Sequence, residues 1–252
     1  MDVGAADLAL RISDVSKSYG PVKALDTISF DVARGEFVAL LGPNGAGKST
    51  LFQMLSGLFV ADSGRIVVDS HDMARDPVPA LAGLGIVFQQ PTLDLELTVA
   101  GNLHFHAGLH GLSRAEAGKR IARELANVGL SGSEHVKAAT LSGGNRRKVE
   151  LARALMHDVR ILLMDEPTVG LDPASRADIL RLVHALCNER KIAVLWATHL
   201  CEEVGGASRI VVLHNGHLLN DSTPDTFLAR SGKPNIEAAF LDLTVKKPPT
   251  SR

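Results

Sequence analysis

Short runs of apolar, often β-branched residues recur along the chain. They occupy residues 37–41, 66–68, 85–88, 161–164, 192–197 and 210–213. Runs of this length that are almost wholly apolar are typical of strands buried on both faces of a mostly parallel sheet. Helical patterns separate several of them, and one begins at Asp172, a good N-cap residue that Pro173 follows at the first helical position. This alternation of strands and helices predicts an α/β fold.

The ends and the middle of the chain follow other patterns. Up to residue 35, apolar and polar residues alternate, which predicts antiparallel strands. Residues 91–156 lack strand-like runs and contain helix starts at Ser113 and Ser142, which predicts a helical insert. Further helix starts at Thr223 and Asn235 predict a helical tail. The predicted divisions are one domain of residues 7–220, made of a core (7–90 and 157–220) and a helical insert (91–156), and a C-terminal helical tail of residues 221–252.

The composition is that of an ordinary globular protein. Of the 252 residues, 45% are apolar and 22% are charged, and the formal net charge is −1, so no global basic field attracts nucleic acid or anionic lipid. The two cysteines, Cys187 and Cys201, fit no metal or redox motif and are expected to be reduced thiols. We expect no membrane span and no signal peptide, so a function at a membrane would need spans from another chain.

A glycine-rich loop follows the apolar run at residues 37–41 and precedes a helical pattern. It fits G-x-x-x-x-G-K-[ST] with Gly42, Pro43, Asn44, Gly45, Ala46, Gly47, Lys48, Ser49 and Thr50. Glycines let backbone N–H groups curl around a phosphate, and the start of a helix adds unpaired donors and a partial positive charge. In such a loop the lysine contacts the β- and γ-phosphates and the serine hydroxyl binds Mg²⁺. We therefore predict a nucleoside triphosphate site with Mg²⁺.

Two carboxylates end the apolar run at residues 161–164. In a parallel sheet the carboxyl ends of the strands face the ligand crevice, so Asp165 and Glu166 are expected beside the bound phosphates. Asp165 is placed to hold Mg²⁺ through water, and Glu166 to orient or deprotonate an attacking water. Taken alone, the pattern favours a solvated loop, and the phosphate loop upstream makes the catalytic interpretation the better one.

A second group of small residues precedes the helical pattern after residue 142. Ser142, Gly143 and Gly144 are suited to binding a phosphate through exposed N–H groups and the serine hydroxyl. An ordinary serine-capped helix explains the same residues equally well. The basic residues 146–148 that follow are expected to form a solvated helix face rather than a nucleic-acid patch.

Three histidines fall within another predicted helix. His104, His106 and His110 have spacings that a metal site uses. No carboxylate or cysteine lies near them in the sequence, so solvated or interface histidines are the favoured interpretation.

Taken together, these motifs resemble those of the ABC ATPases. The glycine-rich loop is similar to the Walker A motif of that family, residues 162–166 to its Walker B motif, and residues 141–145 to its signature motif, where Asn145 replaces the usual glutamine. Four single residues match the family by position: Gln89 (Q-loop), Asp172 (D-loop), His199 (switch histidine) and Tyr19 (the aromatic residue that stacks on adenine). The resemblance covers residues 8–216 and implies a P-loop NTPase (RecA-like) core with an N-terminal antiparallel β subdomain and an inserted α-helical subdomain.

The resemblance also implies a function and a mechanism. It implies a Mg²⁺-dependent ATPase subunit of a membrane transporter, with catalytic roles for Lys48, Gln89, Glu166 and His199. Two subunits, most simply a homodimer, would face each other head to tail, each ATP lying between the Walker A loop of one and the signature motif of the other. Gln89 would sense Mg²⁺ and the γ-phosphate, and integral membrane permease subunits would dock beside it. The expected location is cytoplasmic, peripheral on the cytoplasmic face of the inner membrane.

Subfamily and alternatives follow from weaker features. Residues 235–244 are similar to the tail of drug-exporter-like subunits of the ABC-2 class. The signature region and residues 194–200 are similar to a subunit that accompanies PQQ-dependent alcohol oxidation systems in bacteria. The alternative function is a soluble ABC ATPase that acts on a nucleic-acid or ribosomal partner. The near-neutral charge argues against it, and no nucleic-acid partner is expected. The matches at Lys48, Asp165, Glu166 and His199 argue against a binding-only subunit with an inactive site.

Overall fold

Two β-sheets and eight helices make up the described part of the chain, which in this computed structural model is residues 7–245. The strands are β1 (Leu8–Tyr19), β2 (Val22–Ala33), β3 (Phe37–Leu41), β4 (Ser63–Val68), β5 (His71–Asp72), β6 (Leu84–Val87), β7 (Ile161–Asp165), β8 (Ala193–Thr198), β9 (Arg209–His214) and β10 (His217–Ser222). The helices are α1 (Lys48–Leu55), α2 (Pro77–Ala82), α3 (Val99–Leu109), α4 (Arg114–Asn127), α5 (Gly143–Ala154), α6 (Pro173–Arg190), α7 (Pro224–Ser231) and α8 (Ile236–Val245). Residues 246–252 of the predicted tail lie outside the described residues.

The larger sheet has six strands in the order β10-β9-β3-β8-β7-β6. All its neighbouring pairs are parallel except β9 and β10, which confirms the predicted mostly parallel sheet. In its register, Leu41 lies opposite Thr198 and Asp165 lies opposite Ala197. The carboxyl ends of β3, β7 and β8 therefore meet at one edge, where the candidate loops begin.

The smaller sheet is antiparallel, with the order β2-β1-β4-β5. Strands β1 and β2 pair along most of their length, as the alternation of apolar and polar residues predicts. The pattern did not predict β5, β10 or α2. Each is short or carries polar residues, and α2 contains two prolines, so none forms a long periodic run.

The hydrophobic core lies on both faces of the six-stranded sheet. Phe37 and Leu41 of β3 pack with the side of the core that α3 to α8 cover, and Val38 and Leu40 pack with the antiparallel sheet and α1. Burying a side chain of this size stabilises the fold by about 1.5–3 kcal/mol. Because β3 is buried on both faces, all five of its residues are apolar.

A buried carboxylate joins the ends of two central strands. Glu203 accepts a hydrogen bond from Trp196 Nε1 of β8 at 3.0 Å and another from the Thr168 hydroxyl after β7. Glu203 is almost fully buried, and Arg176 of α6 lies 3.8 Å from its carboxylate. A buried carboxylate is tolerated when its oxygens are paired in this way. These contacts hold together the loops that carry the candidate catalytic residues.

The predicted helical insert contains α3, α4 and α5. Ser113 caps α4 by accepting the Glu116 N–H at 3.3 Å, as its sequence position predicts. Residues 91–156 contain no β-strand, and their β pairing consists of an isolated antiparallel bridge between Thr98 and Lys137. The division of the chain into subdomains at residues 90 and 157 stays a prediction. Within residues 7–245, no helix combines the length and the apolar character needed to cross a membrane.

Candidate functional site

Helix α1 begins at the phosphate loop, next to the carboxyl end of β3. Its N-cap residue is Gly47, which has φ 110° and no side chain that could accept a hydrogen bond from the first N–H groups of the helix. A Cβ at Gly47 would lie 2.6 Å from the Ala24 carbonyl oxygen, so both the conformation and the space require glycine. The Gly216 N–H donates to the Ala46 carbonyl at 3.0 Å and fixes the loop against the β9–β10 turn. The first N–H groups of α1 are therefore available to an anion.

Lys48 is buried beneath this loop, with 4% of its surface exposed. Its Nζ donates to the carbonyl oxygens of Gly42 at 2.7 Å and Pro43 at 3.2 Å, and it lies 3.4 Å from Glu166 Oε1. Burial lowers the pKa of Lys48 from its ordinary value, and the Glu166 carboxylate opposes that shift. A phosphate that entered the loop would supply the strong negative partner that a buried ammonium needs.

Glu166 has an unusual backbone and three polar neighbours. Its φ is 45°, in the left-handed region that non-glycine residues rarely adopt, and its N–H donates to the Ala197 carbonyl at 2.9 Å. Gln89 Nε2 donates to Glu166 Oε2 at 3.3 Å. His199 Nδ1 lies 3.2 Å from Glu166 Oε1, without the alignment of a hydrogen bond. The structure thus brings together the predicted residues Lys48, Gln89, Glu166 and His199.

Asp165 is the last residue of β7 and sits beside Glu166. Burial raises the pKa of Asp165 to about 6, the Glu166 carboxylate adds to the rise, and Lys48 opposes it. Two carboxylates next to one lysine leave local negative charge that a cation would balance. A carboxylate and the exposed Ser49 hydroxyl are oxygen donors, which Mg²⁺ prefers. The donor set therefore fits Mg²⁺.

An open cavity of about 610 Å³ lies over the loop. Its lining residues are Val22, Lys23, Ala24, Asn44, Gly45, Ala46, Gly47, Lys48, Ser49, Thr50, Gln89, Glu166, Asn215 and Gly216. Gly42 and His199 do not line it, but they contact Lys48 and Glu166, which do. Its volume is within the range of pockets that hold a small-molecule ligand.

Tyr19 lies next to this cavity rather than in its lining. It ends β1 and pairs with Val22, which lines the cavity. The Tyr19 ring is 42% exposed and contacts Phe59 edge to face, with 6.0 Å between the ring centroids. A half-exposed ring at this position has a free surface for a base, and stacking on adenine stays a prediction.

The second helix start lies elsewhere on the surface. Ser142 is the N-cap of α5 and accepts the Asn145 N–H at 3.2 Å, so the serine-capped helix is present. Ser142 and Gly143 are exposed, and neither they nor Gly144 and Asp172 line the described cavity. Within one chain, the two predicted phosphate-binding groups are therefore not brought together.

Gly144 and the D-loop aspartate are close to each other. A Cβ at Gly144 would collide with the Ser175 side chain, so glycine is required for this close approach. Asp172 caps α6 by accepting the Ser175 N–H at 2.9 Å, and the Ser175 hydroxyl donates to its other oxygen at 2.6 Å. These hydrogen bonds lower the pKa of Asp172. Ser175 thus links two motifs that are far apart in the sequence.

A buried ion pair under the second helix start was missed by the sequence analysis, which expected residues 146–148 to be solvated. Arg147 is buried and donates to the carbonyl oxygens of Phe88 at 2.7 Å and Gln89 at 3.0 Å. It also donates to Glu150 Oε2 at 2.8 Å, and Glu150 Oε1 accepts the Thr92 N–H at 2.6 Å. The expectation was wrong for Arg147, because the segment after β6 folds over it. The spacing of Arg147 and Glu150 on one helix face was the available signal.

Comparisons with known proteins agree with this geometry. The family model described as ABC transporter matches residues 25–169. The linearmycin resistance ATP-binding protein LnrL of Bacillus subtilis (strain 168) is 40% identical over 237 residues, which cover 94% of this chain and 75% of LnrL. A solved ATP-binding subunit of an ABC transporter superposes with a TM-score of 0.83 at 28% identity, over 93% of this chain and 99% of that one.

A further similar structure contains the products of ATP hydrolysis. The dimeric post-hydrolysis structure of the ATP-binding cassette MJ0796, bound to ADP and Pi, has a TM-score of 0.75 and 28% identity, over 85% of this chain and 98% of that one. These similarities confirm the predicted P-loop NTPase fold and favour the transporter interpretation over the soluble alternative. The chain belongs to the ABC transporter family, as an ATP-binding subunit that hydrolyses ATP.

Proposed function

We propose that two copies of this chain enclose two ATP molecules with Mg²⁺ and hydrolyse them to drive an export permease in the membrane. The carrying observation is the separation of the two helix starts. The cavity over Lys48 is open, and the exposed Ser142 and Gly143 are not in its lining. A second copy, placed head to tail, would bring its own Ser142–Gly144 turn to the γ-phosphate. This arrangement completes both sites at once.

The residues around the cavity then have separate tasks. The loop N–H groups and Lys48 bind the phosphates, and Lys48 exchanges its contacts with Gly42 and Pro43 for phosphate oxygens. Ser49 and Asp165 would hold Mg²⁺, and Gln89 would sense it. When bound, the ion neutralises charge that develops on the phosphates. Glu166 orients or deprotonates the attacking water.

His199 and Asp172 have supporting roles in this proposal. His199 lies next to Glu166. In this proposal it also contacts the γ-phosphate, and so keeps the Glu166 carboxylate close to the phosphate that is transferred. Asp172 fixes Ser175 behind Gly144 and so shapes the turn that is offered to the partner copy.

A surface near Gln89 fits the permease. Five exposed apolar side chains lie within residues 88–109, the segment that follows β6 and ends with α3: Phe88, Leu95, Leu97, Phe105 and Leu109. Phe105 and Leu109 are 68% and 70% exposed, which is unusual for neighbours on one helix. The Arg147 hydrogen bonds tie the Gln89 backbone to α5, the helix that starts at the signature motif. A movement of that segment on ATP binding would reach this surface directly.

The name of LnrL supports export as the direction of transport, because that relative confers resistance to linearmycin. We place this chain in the drug-exporter-like ABC-2 class, on the cytoplasmic face of the inner membrane. Association with a PQQ-dependent alcohol oxidation system stays a prediction from residues 194–200.

The composite site can be tested with two matched serine substitutions. In a Glu166→Gln background, ATP should drive the chain into a stable dimer, measured by light scattering after size exclusion. Adding Ser142→Ala should weaken that dimer, because the turn loses its phosphate contact. Ser113→Ala is the control, since it removes the same kind of N-cap from α4 and costs about 1 kcal/mol of stability.

Two results would contradict the composite site. One is a Glu166→Gln protein that stays monomeric at saturating ATP. The other is equal weakening by Ser113→Ala and Ser142→Ala, which would assign the loss to helix capping alone.

The permease surface has its own test. Phe105→Asp should reduce the amount of membrane permease that co-purifies from detergent-solubilised membranes, with ATPase activity of the isolated chain unchanged. Val78→Asp is the control, because Val78 is equally exposed but lies on α2. Equal recovery with both variants would remove the α3 surface from the interface.

A further inference from the structure

Three histidines meet where α3 packs beside the loop that follows α5. His106 and His110 lie one turn apart at the end of α3, and His157 comes from the α5–β7 loop. One ring nitrogen from each lies within 4.8 Å of those of the other two. The sequence analysis weighed His106 and His110 without His157, because His157 is far away along the chain.

Two of these rings each have one buried nitrogen that makes no hydrogen bond within residues 7–245. His157 Nε2 lies 2.9 Å from the Leu84 carbonyl oxygen, which only accepts, so Nε2 carries the proton and Nδ1 carries a lone pair. His157 Nδ1 and His106 Nε2 are buried and have no hydrogen-bond partner among residues 7–245. Buried polar atoms are seldom left unpaired, because an unpaired one has lost its hydrogen bonds to water and gained none in return.

The bond from His157 to Leu84 is also the kind that prepares a histidine for a metal. Metal-binding histidines usually donate the second ring N–H to a carbonyl or carboxylate, which fixes the tautomer and the ring. His110 stacks on His157 with 3.9 Å between centroids and 8° between planes. Because His110 is exposed, its ring is free to turn.

Charged side chains also surround the cluster. Arg153 acts on His106, and Asp158 and Arg120 act on His157. The Arg153 guanidinium already has partners, because it donates to the Thr92 hydroxyl and to the Thr92 carbonyl oxygen, the latter at 2.9 Å.

We propose that His106, His110 and His157 form a binding site for a divalent transition metal of the zinc class. Three imidazoles with water as a fourth ligand are a known tetrahedral zinc set, with nitrogens roughly 3.3 Å apart. To bind the same ion as His157, the exposed His110 ring must leave its stacked position and turn toward the two buried nitrogens. His106 and His110 are spaced i, i+4, which places two ligands on one helix face.

The metal would act as a cross-link between two parts of the fold. His106 lies in α3 and His110 is its C-cap residue, while the His157 ring is hydrogen-bonded to Leu84, the first residue of β6 in the six-stranded sheet. A bound ion would hold the end of α3 against this sheet. The site is separate from the phosphate loop, so it stands whether or not the proposed transport function is correct.

Zinc titration of the full chain tests this site. The protein is expressed without a polyhistidine tag, treated with EDTA, freed of chelator and nucleotide, and titrated with Zn²⁺ by calorimetry. We expect one Zn²⁺ per chain and a higher melting temperature when it is bound. His110→Gln and His106→Gln should each weaken binding by at least roughly tenfold. His104→Gln, the same change on the same helix, should leave zinc binding intact.

X-ray absorption at the zinc edge of the wild-type chain gives an answer that does not depend on any variant. The expected spectrum has three imidazole ligands at about 2.0 Å. Sulfur ligands would overturn the proposal, because they would place the zinc on Cys187 or Cys201. The absence of zinc binding by the wild-type chain would overturn it as well, and so would equal weakening by His104→Gln.

Discussion

The two helix starts suited to phosphate differ in how far each is satisfied within its own chain. The start at Gly47 has no side-chain cap, and beneath it lies the buried Lys48. The start at Ser142 is capped by its own hydroxyl, and the buried cation beneath it, Arg147, is already paired with Glu150. The first start has no side chain of its own that pairs its N–H groups, which leaves them to an anion. The second start already has a side-chain cap within its own chain. It would bind a phosphate only when a second molecule carries one to it.

This difference assigns the two starts different tasks. We expect the site with the uncapped helix and the buried Lys48 to bind nucleotide in the single chain. A capped, exposed turn contributes little on its own but is well placed for contact between subunits. The comparison predicts that changes near Gly47 alter nucleotide binding and chemistry, while changes near Ser142 alter assembly.

The largest expected effect comes from the carboxylate beside the phosphate loop. Glu166→Gln should lower kcat for ATP hydrolysis by roughly 10²- to 10⁴-fold, because the amide cannot accept a proton from water. ATP affinity should remain, since Lys48 and the loop are untouched. Steady-state phosphate release and calorimetric ATP binding measure the two quantities.

Glu202→Gln is the control for this change, because it neutralises an exposed glutamate in the loop that follows β8. It should leave kcat within about twofold, as expected for a surface charge. A Glu166→Gln enzyme with near-normal turnover would assign the activation of water to another group.

Two lysines test the contrast between the helix starts more directly. Lys48→Ala should weaken ATP binding by roughly 100-fold, because a buried charge-assisted contact contributes about 1.5–3 kcal/mol. Lys148→Ala removes a lysine of α5 that pairs with Asp178 at 3.0 Å, and should leave ATP binding by the single chain unchanged. A fluorescent ATP analogue measures the affinity of each variant. If both variants lose the same affinity for ATP, the two helix starts do not differ in nucleotide binding.

The aromatic ring at the end of β1 should have a smaller effect on the same measurement. Tyr19→Ala is expected to weaken ATP binding by about tenfold, because stacking of a base on an aromatic ring contributes roughly 1–3 kcal/mol. Tyr19→Phe keeps the ring and should restore the affinity. If Tyr19→Phe binds as weakly as Tyr19→Ala, the hydroxyl rather than the stacking surface is what matters.

The sequence predicted most of the fold because its buried strands are continuous apolar runs. β3 coincides with the run at residues 37–41, and Asp172 and Pro173 begin α6 as expected. Where packing rather than local pattern determines an element, the prediction failed. α2 and β5 are too short for a periodic signal, and β10 is only half-buried along its length.

In the site, sequence motifs identified residues but not their contacts. Lys48, Gln89, Glu166 and His199 are far apart in the chain, and strand order brings them together. The local pattern also gave the wrong environment for Arg147. A basic residue between two other basic residues is predicted to be solvated, but the segment after β6 covers Arg147 and accepts its hydrogen bonds through the carbonyl oxygens of Phe88 and Gln89. The histidine cluster was missed for the same reason, because the third ring arrives from another segment.

The smallest expected effect concerns Asn145, which replaces the usual glutamine of the ABC signature motif. The Asn145 N–H is used by Ser142, and that backbone contact does not depend on the side chain. Asn145→Gln keeps the amide and extends it by one methylene, so it should reach further toward a partner copy. In the Glu166→Gln background we expect the ATP-dependent dimer to tighten by about two- to threefold, or roughly 0.5 kcal/mol. Asn145→Ala should weaken it, while ATP binding by the single chain changes in neither variant. A change in single-chain ATP binding would instead mean that the Ser142 start contacts nucleotide within its own subunit, which contradicts the division of tasks between the two helix starts.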